Sequence, residues 1–163
     1  MNKENVRPEE EYGLRGGHDR LDAIDHKIIR LLLEDARMPV KEIAKEVFLS
    51  SPAVSNRIKH LEESGIIKGY HASVDYARFG YHIKAFINLE VDPKDKEEFY
   101  PYIKSIPNVI ECSCITGDYS MLIEVVYCYT EELDHIINEL QRFGRTKTLI
   151  AFSTSVEHRD IPI

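Results

Sequence analysis

The stretch Ser51-Pro52-Ala53-Val54-Ser55-Asn56-Arg57-Ile58-Lys59-His60 gathers hydroxyls, an amide and cations into a short run. Such groups suit hydrogen bonding to nucleic acid. An Asn amide pairs bidentately with adenine N6 and N7, a Ser hydroxyl serves either base, and Lys or Arg meets phosphate oxygens. Read as a helix, the run places Val54, Ile58 and Leu61 on one face at helical spacing. Pro52, Ala53, Asn56, Lys59 and His60 then face outward, with Ser51 and Ser55 flanking the first turns. Asn56 is the leading candidate for reading a base, while Arg57, Lys59 and the downstream Lys68 suit phosphates. An ordinary solvated helix face has the same pattern, so the surrounding elements must decide.

A second constellation is Gly117-Asp118. The glycine permits a tight turn with exposed backbone N–H groups, and the carboxylate beside it could hold the ammonium end of a zwitterion. Asp-Gly pairs also build plain hairpin turns for backbone reasons alone. Cys112 and Cys114 lie two apart on one strand face and Cys128 falls on the neighbouring strand, but no Cys-x-x-Cys pair occurs, which favours packing over redox or metal chemistry. The histidines at 18, 26, 60, 71, 82, 135 and 158 show no ligand spacing. The sequence therefore implies no catalytic set, no metal and no cofactor.

The elements around the first run are those of a reading head. Residues 1–20 are polar and Glu-, Gly- and Arg-rich, and are expected to form a disordered arm. Asp22 can cap a helix that carries Ile24, Ile28, Leu31 and Leu32 on one face, with Asp25 as a second carboxylate in its first turn. A break at Arg37-Met38-Pro39 precedes a short helix with Val40, Ile43, Ala44 and Val47 on one face. Phe48-Leu49-Ser50 turns the chain into the candidate reading helix, capped by Ser50 or Ser51 and ended by Gly65. Ile66-Ile67-Lys68-Gly69-Tyr70 reads as a short strand at the base of a wing. The expectation is a winged helix-turn-helix over residues 21–71.

After a linker over residues 72–81 the pattern changes to period two, with Ile83, Ala85, Ile87, Leu89 and Val91 on one strand face. A helix with Phe99, Tyr102, Ile103 and Ile106 follows, then strands over 109–116 and 121–128, a helix with Leu133, Ile136, Ile137 and Leu140, and a last strand over 146–156. The fold class is α+β. Over residues 82–163 the order βαββαβ predicts a ferredoxin-like antiparallel sheet with both helices on one face. Apolar side chains remain on the other face, and a second copy of the chain is the simplest cover.

Net charge is −7, which looks unsuited to DNA until it is divided. Residues 19–71 carry equal numbers of acids and bases, whereas residues 72–163 carry fifteen acids against nine bases, so a basic patch on the first half is compatible with the acidic total. No apolar run is long enough to cross a bilayer, no apolar segment follows Met1, and the odd cysteine count suits a reducing compartment. The expected location is the cytoplasm, with no membrane partner.

Leu21-Asp22-Ala23-Ile24-Asp25 through Leu49-Ser50, then Val54, Arg57-Ile58, Leu61-Glu62, Gly65-Ile66-Ile67 and Gly69-Tyr70, resemble the DNA-binding half of Lrp/AsnC regulators. Thr116-Gly117-Asp118-Tyr119 resembles the turn between the second and third strands of their ACT-like effector domain. The resemblance runs from about residue 21 to 156. It implies a transcription regulator that binds double-stranded DNA, a homodimer often assembled into octamers, and a small-molecule effector, commonly an amino acid, held near that turn. It adds Tyr119, Ser120, Thr146 and Thr148 to Gly117 and Asp118 as candidate pocket walls. Two positions depart from the family. Phe48 stands where relatives usually have Gly, so the turn either keeps a left-handed residue at a cost of roughly 1–2 kcal/mol or is re-shaped. Ser120 stands where many relatives carry a second acid. Siroheme decarboxylases resemble the same family in fold, and His82, His158 and Arg159 are the grounds for that alternative reading; an interaction module with a collapsed helix-turn-helix is a third.

Overall fold

The computed structural model describes residues 21–159, 161 and 163, so the expected arm lies outside the described residues. Two compact units are present, the first holding the described residues up to His71 together with those from Arg159 onward, and the second spanning Ala72–His158.

In the first unit, α1 spans Ala23–Glu34, α2 Val40–Val47 and α3 Ser51–Glu63. Asp22 starts α1 by accepting from the N–H groups of Ile24 (2.9 Å) and Asp25 (2.8 Å), and Asp25 reaches back to the Asp22 N–H at 3.1 Å. This reciprocal box satisfies donors that a helix start leaves orphaned. Ser50 caps α3, its hydroxyl accepting from the Ala53 N–H at 3.4 Å, and Pro52 sits in the first turn where no N–H is missed. Ile28, Ile43, Val54 and Leu61 meet at the centre, essentially without solvent contact. Each such side chain contributes about 2 kcal/mol by leaving water.

One expectation here needs revision, and one open alternative is decided. Residues 66–70 form no strand. A lone short strand has no ladder partner for its backbone groups. The segment instead folds back, the Ile67 N–H donating to the Leu61 carbonyl at 2.9 Å and the Tyr70 hydroxyl to Glu62 Oε1 at 2.9 Å. The turn at Phe48 is not re-shaped: φ is 57° and ψ 41°, and its N–H still closes α2 on the carbonyls of Ala44 and Lys45. Because the helix-turn-helix is intact, the collapsed-module reading loses its ground.

The second unit has the order β1 (Ile83–Val91), α4 (Lys96–Ser105), β2 (Val109–Cys114), β3 (Met121–Tyr127), α5 (Thr130–Gln141), β4 (Gly144–Ala151). The sheet runs β2-β3-β1-β4 and every pairing is antiparallel. This is the ferredoxin-like arrangement. Ala85, Ile87, Leu89, Met121, Ile123 and Val125 turn toward Phe99, Ile103, Leu133, Ile136 and Leu140 of the helices and form one core. β4 stops at Ala151, five residues short of expectation, because its partner β1 begins at Ile83 and Ala151 already pairs with Lys84. A single 3-10 turn at Tyr76–Phe79 occupies the stretch read as a linker. At Gly144 a Cβ would stand 1.8 Å from the Glu90 carbonyl oxygen, so only glycine lets β4 start against β1.

Candidate DNA-reading and ligand-binding surfaces

Burial of Val54 and Leu61 fixes which side of α3 faces water. Pro52, Ser55, Asn56, Lys59 and His60 are exposed, as is Lys68 beyond the helix; Ser51 and Ala53 are half-buried at its start. Lys59 is held loosely by Glu63 one turn on, at 3.5 Å. Arg57 behaves differently. Its Nη1 lies 2.7 Å from Asp25 Oδ1 and 2.8 Å from Asp22 Oδ2, so the guanidinium expected at a phosphate is engaged with the box that caps α1. Hydrogen bonds to both carboxylates hold the Arg57 pKa above its usual value, Asp25 contributing most. Asp22 is pulled below the usual carboxylate range, chiefly by the Asp25 N–H and then by Arg57. The place of Arg57 two residues before Lys59 could not reveal this, because the partners lie about thirty residues upstream.

At the Gly117-Asp118 turn, the Ile115 N–H donates to the Ser120 carbonyl at 2.9 Å, closing a loop that leaves both residues exposed. Gly117 has φ 112°, a conformation that side-chain-bearing residues avoid, with nothing near its Cβ position. The Ser120 hydroxyl is already committed: it accepts from the Val91 N–H at 2.9 Å and donates to the Leu89 carbonyl at 3.3 Å, tying the turn to β1. The Tyr119 ring lies under the guanidinium of Arg145, at 5.0 Å, and Arg145 Nε is 3.2 Å from Glu90 Oε2.

Thr146 and Thr148 are not part of that cluster. They pair with Leu89 and Ile87, whose side chains enter the core, so alternation turns both hydroxyls to the helix side of the sheet, where Thr146 Oγ1 accepts from Gln141 Nε2 at 3.4 Å. Arg145, one residue earlier, faces the other side with Glu90. The sequence reading missed Arg145; pairing β4 with β1 is the signal that finds it.

Cys112 packs against the core, and burial pushes its thiol pKa up. Among the described residues no cluster of His, Cys, Asp or Glu could hold a metal. His82, His158 and Arg159 are all exposed. No described helix is long and apolar enough to cross a membrane.

A helix-turn-helix with a polar outward helix, followed by a ferredoxin-like unit with an open turn, defines a DNA-binding regulator with a ligand-binding domain. The Winged helix-turn-helix DNA-binding family matches residues 21–68 and the Lrp/AsnC ligand binding domain family matches residues 84–161. The HTH-type transcriptional regulator FL11 of Pyrococcus horikoshii is 34% identical over 146 residues, 88% of this chain and 97% of its own length. The solved LrpC of Bacillus subtilis superposes with a TM-score of 0.78 at 31% identity, over 86% of this chain and all of that one. The NMB0573/L-Met complex from Neisseria meningitidis shares the fold, with a TM-score of 0.78 at 23% identity over 86% of this chain and 94% of that one. The chain belongs to the Lrp/AsnC family of transcriptional regulators.

Proposed function

We propose that this regulator reads specific double-stranded DNA sequences through α3 and that a small molecule of the amino-acid class modulates its DNA affinity or assembly. The observation that carries the reading is the outward face of α3, where Asn56 and Ser55 stand exposed beside the Ser50-capped N-terminus while Val54 and Leu61 anchor the helix. Asn56 is the base reader, assisted by Ser51, Pro52, Ala53, Ser55 and His60; Lys59 and Lys68 meet phosphates. Arg57 moves from the phosphate set to holding α3 in place.

The effector site centres on Gly117, Asp118 and Tyr119, with Arg145 replacing Thr146 and Thr148 as the sheet's contribution. Asp118 suits an ammonium group and Arg145 a carboxylate. The L-methionine bound by the Neisseria relative lends support to an amino acid as the effector. A ligand acts only through different affinities for different states, so occupancy shifts the spacing or number of paired reading heads. A homodimer supplies the pair: the sheet face away from the helices carries Phe86, Leu122 and half-exposed Leu149 beside the Lys84–Glu124 ion pair (2.8 Å), an apolar patch bordered by charge.

Selection of bound fragments from random DNA, with and without a mixture of amino acids, tests both halves. Enrichment of a sequence motif whose recovery changes with the mixture is expected. Binding without sequence preference would refute the first half, and unchanged recovery and sedimentation across a full amino-acid panel the second. Asn56→Ala should lose discrimination at one base pair, by about 1–3 kcal/mol.

A further inference from the structure

A cavity of about 560 Å³, broadly open to solvent, lies within the second unit between the C-terminal turn of α4 and the first turns of α5. Its size falls in the range of small-molecule sites. Tyr102, Ile106 and Pro107 form one wall, and Glu131, Glu132, His135 and Ile136 the other, with Tyr127 between them. Tyr127 closes β3 at the end opposite Ser120 and the Gly117-Asp118 turn, about 20 Å away along the strand at roughly 3.3 Å per residue. The cavity is therefore separate from the proposed effector site.

Three features give it a chemical preference. Glu131 and Glu132 line it against a single basic group, His135, and no Lys or Arg does, so its charge is predominantly negative. One oxygen of Glu132 caps α5 through the N–H groups of Cys128 (3.2 Å) and Tyr129 (3.1 Å), and Glu131 stands beside it on the exposed first turn. Tyr127 is only 7% exposed, lines the cavity, and its hydroxyl hydrogen-bonds to no described residue. Burial, then Tyr102 and Glu132, push that hydroxyl up to about 12, so at neutral pH it is an uncharged phenol able to accept an N–H. The Tyr102 ring is already stacked against Arg142 at 4.5 Å, which fixes that wall. Ile106, Pro107 and Ile136 offer apolar surface to the rest of a guest.

We infer that the α4–α5 cavity is a second ligand site, for a primary organic ammonium ion with an apolar body. The ammonium group sits between the Glu131 and Glu132 carboxylates and the Tyr127 hydroxyl, and the apolar body lies on Ile106, Pro107 and Ile136. An ion of this kind is favoured because the site holds acceptor-only carboxylates and an unpartnered phenol, which together select N–H donors carrying positive charge. A phosphate or carboxylate ligand meets two carboxylates there, with His135 alone among the lining side chains able to favour it.

The full chain titrated with 2-phenylethylammonium, followed by amide NMR shifts and calorimetry, tests this. Saturable binding is expected, with shifts centred on residues 102–107 and 127–136. The neutral 2-phenylethanol should bind at least about tenfold more weakly and 3-phenylpropanoate not at all. Tyr127→Phe keeps the ring and Glu131→Gln changes an exposed side chain; each should weaken the cation about tenfold with an unchanged circular dichroism spectrum. Asp118→Asn should leave it alone. Equal binding of the alcohol, shifts centred on residues 117–120, full affinity in Glu131→Gln, or no saturation in the millimolar range would each overturn the inference.

Discussion

Replacing Arg57 by Met separates two roles that a cation on a reading helix can play. In the structure one nitrogen, Nη1, serves Asp25 at 2.7 Å and Asp22 at 2.8 Å. The Asp25 side chain is 15% exposed and the Asp22 side chain 49%, so the two contacts differ in worth. A charge-assisted bond to the shielded partner is worth about 1.5–3 kcal/mol, whereas the exposed partner adds only about 0.5 kcal/mol after solvent screening. Loss of both should destabilise the helix-turn-helix unit by about 2–3.5 kcal/mol. In a unit of this size that lowers the melting temperature by on the order of 10 °C. Lys59→Met, which breaks only the exposed 3.5 Å pair with Glu63, should cost less than about 0.5 kcal/mol. Salt dependence of DNA binding then discriminates further. Each phosphate contact contributes about 0.9 to the slope of log affinity against log salt. Arg57→Met, measured below its own melting point, should keep the parental slope, while Lys59→Met and Lys68→Met should each flatten it by about 0.9. An Arg57→Met protein that melts like the parent yet loses about one unit of slope would show that the guanidinium leaves Asp22 and Asp25 for a phosphate, and the positioning role would be wrong.

Three further outcomes follow from the same geometry. Phe48→Gly removes left-handed strain of about 1–2 kcal/mol but gives back about 0.5–1 kcal/mol of unfolded-chain entropy and the weak Lys27 contact at 5.7 Å, so thermal denaturation should show a change between zero and a gain of about 1 kcal/mol; Phe48→Val should melt lower than the parent. Gly144→Ala should cost about 1–3 kcal/mol or more in the second unit, because the added carbon meets the Glu90 carbonyl at 1.8 Å; a melt within error of the parent would mean β4 can shift against β1. Asp22 has its folded pKa below the ordinary 3.8, so it stabilises the fold above that value and the contribution fades as pH falls through the lowered one; urea titrations from pH 7 down to pH 2 should show stability dropping at the acid end, with a smaller drop in Asp22→Asn.

The amino-acid sequence by itself determined the helices, the strands and their order. Asp22 with Asp25, Ser50 before Pro52, and the alternation from Ile83 to Val91 act through neighbours a few residues away, and a single chain displays those directly. The outward set on α3 was legible for the same reason: helical spacing and the burial of Val54 and Leu61 leave Asn56 little choice. Tertiary structure decided everything that depends on a partner far along the chain. Arg57 has the charge of a phosphate contact but lies against Asp22 and Asp25, and Ser120 has the hydroxyl of a pocket wall but spends it on Leu89 and Val91. Thr146 and Thr148 lie close in sequence to the Tyr119 cluster's Arg145, yet a sheet face separates them, because side chains alternate and the register with Leu89 and Ile87 sets which way each points. Residues 66–70 have strand-forming composition without a strand beside them, and hydrogen-bond pairing, which no local pattern carries, left them irregular.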